Sequence, residues 1–391
     1  MDAIELFAGG GGLALGLHDA GFKPVAVVER DPASCRTLRK NWPDRLGQAV
    51  SLFDMDVRQV DFRQWRDRVE LVSGGPPCQP FSIGGKHRGH RDDRDMFPRA
   101  VEVVRTVRPN AFIFENVRGL LRKSFAEYFG YVILQLQYPE VVRRDRETWP
   151  RHLSRLEEHH TSGVERGLRY RVVFQKVNAA DFGVPQRRER VIIVGFRWDI
   201  KAAWSFPQPT HSKDALEAAK WLTGSYWDEH RIPRSRRPPV PTDVQQRLGR
   251  METLPLSARW RTVRDALNDL PDPRSPEAAR IANHSFQPGA RKYPGHTGSD
   301  LDHPGKTLKA GDHGVPGGEN MLSFPDGSVR YFTVRESARL QTFPDWYVFP
   351  NSWTESMRQI GNAVPVTLAR VIGASVAHTL ANRSRCLMDL K

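Results

Sequence analysis

The sequence predicts an α/β fold: a mostly parallel sheet with helices on both faces, joined to a smaller, loop-rich domain. Three observations predict it. Over the first two hundred residues, short apolar runs alternate with helical patterns. A glycine cluster stands between the first run and the first helix. After about Trp198 the periodicity fails, and Pro, Gly, Arg and His become frequent. The expected domains are 1–199, 200–330 and 331–391. The last returns to helical patterning (Val366, Ala369, Val371, Ala374, Val376) and is expected to pack back on the first.

Each element follows from its local pattern. Residues 3–7 form an apolar strand that ends in Gly9-Gly10-Gly11-Gly12. Leu13, Leu17 and Ala20, spaced i, i+4, i+7, give the next helix, which Gly21 closes. Residues 25–28 read as a buried strand. Asp31-Pro32 then reads as an N-cap followed by proline in the first helical turn. Residues 71–73, 111–114, 171–174 and 191–194 are further strands. Residues 140–170 are a charged, helical surface insert. Its His159-His160 pair lacks a second cluster at ligand spacing, so no metal is assigned.

The chain has 391 residues, with 59 Lys and Arg against 45 Asp and Glu, a net charge of +14. Such a balance favours a polyanionic partner, above all nucleic acid. Since 47 of the 59 are Arg, codon bias could supply part of the excess. Residues 231–292 alone hold 13 basic and 6 acidic side chains, half the net charge, which turns the middle domain towards the polyanion. A disordered linker is the rival reading of 200–330. Trp204, Trp221, Trp227 and Trp260 argue against it. The proline-rich run 237–241 reads as a linker into that domain rather than a peptide ligand. The N-terminal residues show no secretory pattern, and the apolar run 191–196 is only strand-length, so no membrane association is expected. Cys35, Cys78 and Cys386 can form neither a disulfide framework nor a CxxC zinc ribbon, which points to a reducing, cytoplasmic setting.

Gly9, Gly11 and Ala14 satisfy a degenerate GxGxxA pattern between strand and helix. Glu29 lies 20 residues beyond Gly9, at the end of the second strand, where a carboxylate can accept both hydroxyls of a ribose. Asp56 follows a third strand and could accept from an adenine amine. An adenosine-containing cofactor is expected, with NAD and S-adenosylmethionine both open. No Gly-Lys-Ser/Thr follows, so this is not a phosphate loop.

The segment Gly74-Gly75-Pro76-Pro77-Cys78-Gln79-Pro80-Phe81-Ser82 places a cysteine after two prolines at the carboxyl end of a strand, where open α/β sheets hold their ligands. That setting suits a reactive thiol better than an inert one. Cys35 and Cys386 read as inert.

At these residues the chain resembles the cytosine-5 DNA methyltransferases, of bacterial type. Phe7-Ala8-Gly9-Gly10-Gly11-Gly12 matches their cofactor loop, and Pro77-Cys78-Gln79 their nucleophile loop. Glu115-Asn116-Val117 and Gln186-Arg187-Arg188-Glu189-Arg190 match two further motifs. Residues 335–341 (RESARLQ) and 361–365 (GNAVP) match the closing two. The six occur in the family's order.

The resemblance implies a Rossmann-like catalytic domain that uses S-adenosylmethionine and releases S-adenosylhomocysteine. A target-recognition domain would then occupy 200–330. Cofactor contacts would come from Phe7, Ala8, Gly9, Gly11, Gly12, Glu29, Arg30, Asp56, Val57, Pro77, Asn362 and Ala363. Arg30 replaces an aromatic residue often found after the ribose-binding acid. Cys78 would add to carbon 6 of cytosine, and Glu115, at the end of an apolar strand, would support nitrogen 3. Arg188 and Arg190 alternate along a strand start, so both should face one side, towards the base, its phosphate or Glu115. Ser82, Lys86, Arg88, Arg91 and Arg335 would contact DNA. Residues 82–95 would form a loop that closes over an extruded base. The expected partner is double-stranded DNA, beside a cognate restriction or defence nuclease, with the enzyme a monomer in the bacterial cytoplasm near the nucleoid. A tRNA-methylating branch and a catalytically silent DNA-binding homologue are the alternatives.

Overall fold

The computed structural model describes residues 1–42, 50–77, 95–163, 167–294, 296–310 and 320–388, with side chains to Asn382. The chain divides into two compact units. One comprises Met1–Val177, Glu189–Pro207 and Ala369–Lys391, and the other Asn178–Arg188 and Gln208–Leu368. These divisions differ from the expected boundaries at 199/200 and 330/331. Residues 331–368 belong with the middle of the chain, and only the residues from 369 onwards join the first unit.

The first unit is built on a seven-stranded sheet of β1 (Asp2–Leu6), β2 (Lys23–Glu29), β3 (Ser51–Asp54), β4 (Leu71–Gly74), β5 (Ala111–Val117), β6 (Tyr170–Asn178) and β7 (Glu189–Arg197). Their order is β3-β2-β1-β4-β5-β7-β6. Neighbours from β3 to β5 run parallel, and β7 runs antiparallel to β5. Parallel strands covered on both faces are apolar throughout, which explains the unbroken Ala-Phe-Ile-Phe of β5, all four residues buried. Alternate residues Ile4, Leu6, Val28, Val72, Phe112, Phe114, Val191 and Ile193 fall in one core cluster with Phe97, Val101 and Val104. Gly195, opposite Phe112 in the register, makes room for that ring: a Cβ there would lie 2.2 Å from Phe112 Cζ.

Helices α1 (Gly12–Asp19), α2 (Pro32–Asn41), α3 (Phe97–Val107), α4 (Ala126–Gln137) and α5 (Trp149–Thr161) complete the unit up to β6. Helix α2 starts as the Asp31-Pro32 pair predicts: the Asp31 carboxylate accepts from Ser34 N at 2.9 Å. From β1 the chain runs outwards through β2 to β3, then returns to add β4 on the other side of β1. The reversal makes the carboxyl ends of β1 and β4 a topological switch point, where open sheets bind ligands.

The second unit holds α6 (Lys213–Trp221), α7 (Ser225–Glu229), α8 (Thr242–Leu248), α9 (Val263–Leu267), α10 (Val334–Leu340) and α11 (Trp353–Asn362). Short strands pair as β8 (His211–Ser212) with β9 (Ala258–Arg259), and as β10 (Ser299–Asp300), β11 (Met321–Ser323) and β12 (Val329–Tyr331). Leu216, Tyr226 and Trp227 form a core with Trp221 and Trp260 packed against it. The middle segment is therefore folded, not a linker. Trp204 belongs to the first unit, where its Nε1 donates to Ser375 Oγ at 2.9 Å.

The last helix, α12 (Val366–Met388), lies against α1: a Cβ on Gly373 would come within 2.7 Å of Leu17 Cδ2. The stretch Trp353–Asn382 is long and apolar enough to cross a membrane, but 67% of its most apolar window is buried within the protein. It is a core element.

Candidate active site

The loop after β1 turns through three left-handed residues, Phe7, Gly9 and Gly11, with φ of 54°, 53° and 82°. Gly11 N donates to Ala8 O at 2.9 Å, which closes the turn. Glu29, at the end of β2, ties this loop to its own strand. Its Oε2 accepts from Gly9 N at 2.7 Å, and its Oε1 accepts from Arg30 N and Asp31 N at 2.8 and 2.7 Å. The two carboxylate oxygens offer about four lone-pair sites, so capacity remains for ligand hydroxyls. A Cβ on Gly9 would meet nothing within 4 Å, so the loop faces open space. These features fit a ribose-bearing cofactor.

Asp56 caps a short 3₁₀ turn and is gripped by Arg58, with Nε and Nη2 at 2.8 and 2.7 Å from its two oxygens. The Arg58 hydrogen bonds hold its carboxyl well below the usual range. Arg30 is exposed, with Nη1 3.4 Å from Asp56 Oδ2. Val57 is buried and joins the core. Arg58 is a residue that sequence reasoning missed.

The loop after β4 is fixed residue by residue. A Cβ on Gly74 would lie 2.4 Å from Leu6 O, so only glycine lets β4 run this close to β1. Gly75 passes beside Glu115, whose Oε2 would be 3.4 Å from a Cβ there. Asn116 Nδ2 donates to Pro76 O at 2.9 Å, and Met96 N donates to Pro77 O at 3.1 Å. Cys78, Ser82, Lys86, Arg88 and Arg91 lie outside the described residues.

Glu115 and Arg190 are brought together by the β5–β7 register. Arg190 opposes Val117, which shares a face with Glu115, so the two side chains are diagonal neighbours. Arg190 Nε lies 2.6 Å from Glu115 Oε1, and both side chains are about nine-tenths buried. Burial pulls the Arg190 guanidinium below its ordinary value, and Glu115 opposes the shift.

Arg188 does not share this site. It precedes β7, is fully buried, and donates to the carbonyls of Leu308, Gly361 and Ala363 at 3.1, 2.6 and 2.9 Å. The expectation that both arginines face Glu115 fails because the alternation starts only where the strand starts. The closing motifs are the partners of Arg188. Gln186 Nε2 donates to Gln341 Oε1 at 3.2 Å, and Gln341 Nε2 donates to Ile360 O and Ala363 O at 2.6 and 3.2 Å. A Cβ on Gly361 would strike Ala310 N at 2.5 Å. The three motifs thus interlock inside the second unit, with Ala363 buried and Asn362 exposed.

Arg335 is also corrected. Its side chain is 1% exposed and donates to Ala282 O, Pro344 O and Tyr347 O, so it is not available to a phosphate. Among the described residues, Glu229, His230 and Asp265 cluster at ligand distance, but Arg259 already pairs with both carboxylates.

A family model described as C-5 cytosine-specific DNA methylase matches residues 1–138 and 164–378. The chain belongs to that family. It is similar to the type II methyltransferase M.PspPI of Psychrobacter sp. strain TA137, at 32% identity over 96% of this chain and 79% of the relative. M.Eco47II of Escherichia coli, also a type II methyltransferase, is 32% identical with the same two coverages. The fold is shared with the crystal structure of S. pombe Dnmt2 methyltransferase, with a TM-score of 0.54 and 17% identity over 98% of this chain and 99% of that one. The structure is therefore that of a DNA cytosine-5 methyltransferase, with a methyl donor implied by the chemistry of the family.

Proposed function

We propose that the enzyme extrudes one cytosine from duplex DNA and methylates it by covalent catalysis at Cys78. Carbon 5 of cytosine is a poor nucleophile. Addition of the Cys78 thiolate to carbon 6 makes the ring an enamine and places negative charge at nitrogen 3. Glu115 donates a hydrogen bond or a proton there. Arg190 fixes the orientation of the Glu115 carboxyl. Loss of the carbon 5 proton and departure of the thiolate then restore the aromatic ring.

S-adenosylmethionine, bound by the loop from Phe7 to Gly12 with Glu29 and Asp56, supplies the methyl group. The observation that carries this reading is the buried Glu115–Arg190 pair beside Gly75, three residues before Cys78. The second unit, which contains most of the basic segment 231–292, reads the target sequence. The names of the curated relatives support a role in restriction–modification or phage defence, with a cognate nuclease as partner and the enzyme acting as a cytoplasmic monomer.

Transfer of labelled methyl groups to duplex DNA tests the assignment. Cys78→Ala should abolish transfer, and Glu115→Gln should lower it by about a hundredfold to ten-thousandfold. Transfer by Cys78→Ala at the wild-type rate would reject the nucleophile. Transfer to tRNA in place of DNA would move the enzyme to the tRNA branch.

A further inference from the structure

The segment that carries Cys78 leaves the sheet at Pro77 and rejoins described structure at Asp95. Its two ends meet, since Met96 N donates to Pro77 O at 3.1 Å. Asp95 organises the returning end. Its Oδ1 accepts from Phe97 N at 3.2 Å, at the start of α3, and its Oδ2 accepts from the hydroxyl of Tyr128 on α4.

Tyr128 is itself held from behind. Its ring stands edge-on to Trp149 of α5, with centroids 6.2 Å apart and planes at 76°. Tyr131, one turn on, touches both Tyr128 and Trp149, at 6.1 and 5.7 Å. The Tyr131 hydroxyl meets His152 Nδ1 at 2.9 Å, and His152 Nε2 donates to Val141 O at 2.7 Å. Tyr128, Tyr131 and His152 are all buried. The insert that the sequence presents as a charged surface helix therefore turns an aromatic face inwards, towards the anchor of the active-site segment.

We propose that Tyr128 and Asp95 are positioning residues for Cys78, and that the 138–161 insert is the platform that holds them. Asp95 fixes the backbone at Met96, Met96 fixes Pro77, and Pro77 immediately precedes the nucleophile. The hydroxyl of Tyr128 keeps the Asp95 carboxylate in the one orientation that serves Phe97 N. An error of about 1 Å in a reacting group can cost on the order of a hundredfold in rate. Because the device acts through Cys78, it rests on the covalent mechanism proposed above.

The test is the single-turnover rate of covalent adduct formation with full-length enzyme, saturating cofactor and a duplex bearing 5-fluorocytosine at the methylated position. Tyr128→Phe and Asp95→Ala should each slow adduct formation by about tenfold or more, with DNA affinity within about twofold of wild type. The double variant should be no slower than the slower single, because both remove the same contact. General loss of structure would instead make the two effects multiply and would weaken DNA binding. Single variants at the wild-type rate, or multiplying effects, would overturn the proposal while leaving the covalent mechanism intact. Failure of the wild type to form any adduct would overturn both.

Discussion

Arg190 and Glu115 form a buried ion pair, Nε to Oε1 at 2.6 Å, at the carboxyl end of β5 and the amino end of β7. The pair joins the returning antiparallel strand to the end of the strand that carries the proposed acid. Its geometry makes Arg190 a support for Glu115, and the two residues should not behave independently on substitution.

Removing Arg190 leaves a buried carboxyl without its cation. Arg190→Ala should cost about 3–5 kcal/mol of stability, the usual penalty for breaking a buried pair from one side. It should also lower turnover. Arg190→Lys should recover part of the stability but less of the turnover, because the flat guanidinium edge sets the carboxyl orientation. Thermal unfolding and single-turnover methyl transfer on the same preparations separate the two effects.

Arg335 gives a contrasting case. Its guanidinium serves three backbone carbonyls in the second unit and does not face solvent. Arg335→Ala should lower the unfolding temperature. The salt dependence of DNA binding by the folded fraction should stay the same, whereas loss of one phosphate contact would reduce the slope by about 0.9. A titration of affinity against salt concentration decides between them.

Glu5, in the middle of β1, is 2% exposed and contacts Ser73 Oγ on β4. Burial pushes its carboxyl up to about 8. Between the unfolded value near 4.5 and that folded value, the native state holds a proton that the unfolded state has lost. Wild-type stability therefore falls as pH rises through this window, by up to about 1.4 kcal/mol per pH unit. Glu5→Gln carries no such charge and should lose less stability between pH 5 and pH 8. Urea unfolding of both proteins at the two pH values measures the difference.

Gly74 and Gly361 predict local intolerance. An added methyl at either would approach backbone atoms to 2.4 or 2.5 Å, and backbone cannot swing aside as a flexible side chain can. Gly74→Ala and Gly361→Ala should each reduce the yield of folded protein and lower its unfolding temperature. Gly9→Ala should act otherwise. It meets no neighbour and strains only a left-handed φ of 53°, so its main effect should be on cofactor affinity.

Much of the first unit was legible because its signals are local. Apolar runs mark buried parallel strands, Asp31-Pro32 marks a helix start, and the glycine cluster marks the tight turn at the switch point. Glu29 was legible from spacing alone. Long-range relations were not. Arg188 and Arg190 look equivalent in sequence, and only the point where β7 begins sends one to Glu115 and the other to Leu308, Gly361 and Ala363. Arg335 looks like a surface cation until its three carbonyl partners, brought together by loops far apart in sequence, are seen. Tyr128 and Asp95 carry no motif, since their meeting depends on α4 crossing the end of a loop 33 residues earlier in the chain.

The central claim is that Cys78 and Glu115 methylate cytosine in a defined DNA context. Base-resolution methylation sequencing of unmethylated genomic DNA, treated with purified protein and S-adenosylmethionine, tests it directly, with Cys78→Ala and Glu115→Gln alongside. The account predicts 5-methylcytosine confined to one short sequence context, absent with Cys78→Ala and sharply reduced with Glu115→Gln. Modified cytosines scattered without context, or an equal yield from Cys78→Ala, would contradict it.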